Sequence, residues 1–132
     1  MADQILFENC TGSEIEFKMT GLINRMGIPC GYVGFTIEDE GKFLNALEKV
    51  RNCVGALDVH GGITFNGDVE RTDCLPWMAS KENVKYTWIG WDYGHCGDYH
   101  PVHCPNGVEH DADDMMSDCI NVIYQLINII KY

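Results

Sequence analysis

Between Thr87 and Cys104 the chain reads TWIGWDYGHCGDYHPVHC, placing three histidines, two aspartates and two cysteines in eighteen positions. Imidazoles, carboxylates and thiols are the groups that move protons, ligate metals and grip polar ligands near neutral pH. Asp92, His95 and Asp98 recur at three-residue intervals with Gly94 and Gly97 between them, so one loop can turn several side chains toward a single point. A further imidazole stands in Val59-His60-Gly61-Gly62, beside two residues with no side chain to obstruct a ligand. The same pattern suits a β-bulge carrying a hydrogen-bonded histidine, and spacing leaves both readings open.

If His60 joins the loop, two imidazoles and one or two carboxylates meet, a ligand set suited to Zn²⁺, Mn²⁺ or Fe²⁺. No CxxC or HExxH spacing supports a metal, so zinc is compatible with the residue types but not favoured. His100, His103, Cys104, Cys96 and Cys74 offer donors for a structural zinc site, in an irregular order that also argues against it. Cys30 could serve as a nucleophile with His60 or His95 as base and Asp92 or Asp98 orienting it. Nothing places Cys30 at the helix N-terminus that would lower its pKa. The bland alternative has Asp92 and Asp98 capping turns and orienting His95. The reading carried furthest is a polar pocket of His60, Asp92, His95 and Asp98. Amides of Gly61 and Gly62 would be available to an anionic group, and Tyr93 and Tyr99 would be free to stack on a ligand.

The elements that must position these residues follow from periodicity. Glu14 to Met19 and Gly31 to Ile37 read as strands, as does Tyr86 to Trp91, which runs straight into the reactive loop. Ala56 to Phe65 reads as a strand or hairpin ending at the Asn66-Gly67 turn, and residues 68 to 84 as a surface connection. Asp39 to Val54 has helical spacing, with Phe43, Leu47, Val50 and Val54 on one side. Asp111 to Lys131 forms a long helix with Met116, Cys119, Ile120, Ile123, Leu126, Ile127 and Ile130 on its apolar face, and acidic residues at its start. The expected fold is α+β: a mainly antiparallel sheet covered on one face by the C-terminal helix, in one domain spanning residues 1–132.

Twenty acidic against nine basic residues give a formal charge of −11, which repels nucleic-acid phosphates and anionic membrane surfaces. No direct nucleic-acid or membrane binding is expected. No stretch reaches the ~20 apolar residues of a membrane span, and the start of the chain has no export signal. A cytoplasmic location is therefore expected, with the seven cysteines as reduced thiols. Apolar residues on the last helix leave a homo-oligomeric face open.

Three segments carry a resemblance: Cys30-Gly31-Tyr32-Val33-Gly34-Phe35, Val59 through Gly67 (VHGGITFNG), and Trp88 through Asp98 (WIGWDYGHCGD). In order and approximate spacing they resemble a family of small phage and prophage proteins carrying CGYVGV, VHGGLTY-G and WWFGFDC-H-GD segments. The resemblance spans residues 30 to 99 and marks Cys30, Gly31 and Tyr32, then His60, Gly61 and Gly62, then Asp92, His95, Gly97 and Asp98. The chain departs from the pattern in lacking an HPLYG-like segment and in having Tyr93 where cysteine is usual. The resemblance implies an accessory role in the host bacterial cytoplasm. There it could act in counter-defence, by binding a small polar ligand, with or without hydrolysing it. The alternative is an interaction protein that inhibits a host defence factor through its acidic surface, with the motifs serving only the fold.

Overall fold

The computed structural model describes residues 3–66 and 77–132. Its elements are β1 (Gln4–Thr11), β2 (Ile15–Ile23), β3 (Pro29–Ile37), α1 (Glu40–Cys53), a 3-10 turn (Val54–Ala56), β4 (Phe65–Asn66), β5 (Thr87–Asp92) and α2 (Ala112–Lys131). The strands form one sheet in the order β1-β2-β3-β5-β4, and every neighbouring pair is antiparallel. The expected α+β architecture with a long C-terminal helix is therefore present.

Strand alternation divides the side chains between two faces. On one face Phe17, Met19, Val33, Phe35, Ile89 and Trp91 pack against Ala46 and Val50 of α1 and against Met115, Cys119, Val122 and Leu126 of α2. Burying a large apolar side chain contributes roughly 1.5–3 kcal/mol, so this layer is the main source of stability. On the other face Leu22, Cys30, Tyr32 and Trp88 pack with Met78 and Trp77. There Asn83 accepts from the buried Lys18 Nζ at 2.5 Å through its side chain, and from Trp88 Nε1 at 3.1 Å through its backbone. The sheet is thus covered on both faces, and the described part of the expected surface connection, residues 77 to 84, forms part of the second layer.

Both helices begin where acidic residues suggest. Asp39 caps α1 by accepting from Lys42 N, and Asp111 and Asp114 form a reciprocal capping box on α2. The apolar face of α2 is rotated from the expected one. Met115, Cys119, Val122, Ile123 and Leu126 are buried, whereas Ile120 is exposed.

One strand was not anticipated and one further expectation needs correction. β1 precedes the first expected strand, and its mostly exposed residues lack an alternating pattern because it is an edge held by pairing with β2. Gly21 lets the Phe7 ring lie flat on β2, where any β-carbon would overlap it. Ala56 to Phe65 is a strand only at Phe65–Asn66. The 3-10 turn and a tight turn closed by Gly62 N donating to Val59 O at 2.9 Å take up the rest. His60 thus sits on a turn, with Gly61 and Gly62 at φ +70° and +78°, the left-handed region that glycine enters without a Cβ penalty. Gly67, Cys74 and most of the expected connection lie outside the described residues.

Candidate functional site

Three loops meet at the end of the sheet where β3 and β5 pair Cys30 with Asp92. The first carries His60, the second follows β5 through Asp98, and the third leads into α2 through His110. The second and third are stitched together by backbone bonds. Val108 N donates to Gly97 O at 2.8 Å, Tyr99 N to Val108 O at 3.0 Å, and Asp98 and Val108 form a parallel bridge. A β-carbon on Gly107 would overlap the Asp98 backbone, so only glycine permits this approach.

The stitching places His110 against Asp98. The Asp98 side chain is 4 % exposed, and both its oxygens are engaged. Oδ2 lies 2.9 Å from His60 Nε2 and accepts from the His95 amide at 2.9 Å, while Oδ1 lies 3.0 Å from His110 Nε2. Burial works to raise the Asp98 carboxyl. The His60 hydrogen bond, the His95 amide, the His60 charge and the His110 hydrogen bond together hold it below the ordinary carboxylate range. The His60 ring stacks on Tyr93 at 5.0 Å and lies 4.6 Å from the His110 ring. Tyr93 is fixed in turn, accepting from Trp91 Nε1 at 2.9 Å and donating to Asp118 Oδ2 at 2.6 Å. The histidines remain reachable, with side chains 31 % and 18 % exposed for His60 and His110.

His95 belongs to an adjoining compartment. Its ring lies 6.1 Å from that of His60, and its edge rests against Gly61, where any side chain would overlap it. Nε2 is buried 3.3 Å from Asp92 Oδ1, at ion-pair distance, but has no hydrogen-bond partner among the described residues. Such an unpaired buried nitrogen is costly unless something else satisfies it. Asp92 accepts from Gly94 N at 3.0 Å and from Thr64 Oγ1 at 3.3 Å. Beside these groups is a cavity of about 390 Å³ bordered by Asn24, Cys30, Tyr32, Thr64, Asp92 and His95. A second hollow of about 430 Å³ adjoins Tyr93, Tyr99, Glu109 and His110. A larger hollow of about 650 Å³ lies elsewhere, among Glu14, Glu16, Asp39, Lys42 and Lys85, and contains no histidine.

The structure therefore brings His60, Gly61, Asp92, His95 and Asp98 together, with Cys30 and Tyr32 on the cavity wall. Several expected roles change. The Gly62 amide is consumed by its own turn and cannot hold an anion. Tyr93 is buried with its ring stacked under His60, whereas Tyr99 is exposed; both border the second hollow. Cys30 is buried, with Asn24 Nδ2 3.7 Å from its sulfur; burial first and the Asp92 charge second push its thiol up to about 12, the opposite of an activated nucleophile. Among the described residues, Cys96, His100, His103 and Cys104 do not gather at metal-ligand spacing. Instead His100 Nδ1 accepts from the amides of Val102 and His103, closing a local turn. Cys74 lies outside the described residues.

Sequence reasoning missed His110 and Thr64. His110 immediately precedes the helix-capping Asp111, a fixed position that could have drawn attention to it. Thr64 had no chemical signal. Among the described residues, His60, Asp98 and His110 also form a group whose donor atoms all lie within 4.8 Å of one another. Comparison of the chain with protein-family models, curated proteins and solved structures finds no match.

Proposed function

We propose that this chain binds a small polar ligand in the cavity walled by Asn24, Tyr32, Thr64, Asp92 and His95, next to the clasp that Asp98 makes with His60 and His110. The observation that carries this reading is the buried, unpartnered Nε2 of His95 beside a cavity whose other polar groups are Asp92, Thr64, Asn24 and Tyr32. At about 390 Å³ the cavity falls at the small end of ligand pockets. Asp92 accepts hydrogen bonds and repels anions, so the ligand offers N–H or O–H donors and is not highly phosphorylated. His95, on the cavity wall, puts an imidazole beside the ligand to exchange protons if it is hydrolysed, while Asp98 holds the neighbouring His60 and His110 in place. The biological setting that fits is that of the phage-type resemblance, an accessory role in the cytoplasm of an infected bacterium.

Mass spectrometry of small molecules released from protein expressed in bacteria tests the proposal. A compound present near one equivalent in the wild-type protein and absent from folded Asp92→Ala and His95→Ala variants is expected. Identical, empty profiles from all three proteins would overturn it and favour the acidic surface, docked on a basic host factor, as the working part of the molecule.

A further inference from the structure

We infer that His60, Asp98 and His110 together bind a divalent transition-metal ion, with coordination positions left open beside His95. The inference rests on the reading of this cluster as a site, and adds to it a metal that residue spacing did not favour. Two imidazole nitrogens and one carboxylate oxygen suit Zn²⁺, Co²⁺, Mn²⁺ or Fe²⁺ and discriminate against Mg²⁺ and Ca²⁺, which prefer oxygen. Ligands held about 2.1 Å from such an ion stand roughly 3 to 3.5 Å from one another. Asp98 already meets both histidines at that spacing through its two oxygens, Oδ2 at 2.9 Å from His60 Nε2 and Oδ1 at 3.0 Å from His110 Nε2. One donor atom from each of the three residues lies within 4.8 Å of the others, and metal binding draws them together and turns the carboxylate so that one oxygen faces both nitrogens.

The supporting bonds fit the same assignment. The His95 amide holds Asp98 Oδ2 independently of either imidazole, as an outer-shell donor does for a metal-bound carboxylate. Oδ1, which pairs with His110, is then the oxygen presented to the ion. Binding exchanges two imidazole N–H bonds to Asp98 for two nitrogen–metal bonds: each ring keeps or gains its proton on the far nitrogen, and a neutral ring releases none. The carboxylate cancels one of the two metal charges, and a chain of formal charge −11 concentrates cations around it. Three protein ligands rather than four leave room for water or ligand, the pattern of a catalytic rather than a structural ion. The partial exposure of both histidines provides the opening.

Tag-free protein stripped with chelator and then dialysed would be titrated with Zn²⁺ by calorimetry and with Co²⁺ by visible absorption. One equivalent is expected in each case. Asp98→Asn and His110→Gln should weaken Zn²⁺ at least ~100-fold and abolish the Co²⁺ bands, since each removes a direct ligand. His103→Gln, in a neighbouring loop, should change neither. Circular dichroism identifies any variant that fails to fold, and His60→Gln supplies a third independent ligand deletion. Binding by the wild type weaker than about 100 µM, or unchanged in the folded ligand variants, would overturn the inference. A released organic compound with no metal binding overturns the metal alone; metal binding with no released compound sustains it while the ligand proposal fails.

Discussion

At the scale of single residues, the site depends on where glycine and burial are placed rather than on the reactive side chains alone. His60, Asp92, His95 and Asp98 could be picked from the sequence because of their chemical types. Their roles could not, since spacing does not reveal that Asp98 binds two imidazoles or that Tyr93 lies under His60. Gly61 and Gly62 both have positive φ, but only Gly61 touches His95. Gly62→Ala should therefore cost about 1–2 kcal/mol from backbone strain alone, and Gly61→Ala more, because the imidazole must also move. Urea denaturation of the two variants measures the difference, and equal losses would show that the Gly61 contact is unimportant. Cys30 supplies a dependence on pH. The folded chain retains its thiol proton up to about 12, whereas the unfolded thiol ionises near ~8.5. Between those values the unfolded state binds fewer protons, so stability is full below ~8.5 and falls as pH rises above it. Denaturation curves across that range should fall less steeply for Cys30→Ala than for the wild type.

At the scale of elements, legibility followed the strength of the periodic signal. The α2 helix, with acidic residues at its start and apolar residues at helical spacing, was readable to within one residue. Its buried face was not, because Ile120 is as apolar as its neighbours and only the direction of the sheet decides which side turns inward. Leu126→Ala should cost about 2–5 kcal/mol through the cavity it leaves in the core, whereas Ile120→Ala should stay within ~0.5 kcal/mol. Thermal unfolding of the pair checks the rotation of the helix, and equal losses would contradict it. The β1 strand escaped detection for a related reason. An edge strand with little burial owes its conformation to a partner, and the partner lies in a different stretch of sequence. The same limit applies to residues 56 to 64, whose β-forming composition is overridden by the turn that carries His60.

At the scale of the whole molecule, the sheet order β1-β2-β3-β5-β4 sets β5 beside β3 and brings loops around residues 60, 95 and 110 to one end. No pattern within any one of those loops predicts that meeting, so the pairing of His110 with Asp98 was not legible, while the density of reactive residues after Thr87 was plain. The overall charge of −11 was readable directly, and it now has a local counterpart, a carboxylate clasped by two histidines and open to a cation or a hydrogen-bond donor. The central claim is that this clasp is a binding site rather than a structural knot. Its most direct test is a crystal structure of the protein grown with Zn²⁺ and recorded at the zinc absorption edge. One strong anomalous peak is expected within about 2.3 Å of donor atoms from His60, Asp98 and His110. An empty clasp, with both imidazoles bonded directly to Asp98 and zinc bound only at His100 or His103, would contradict it.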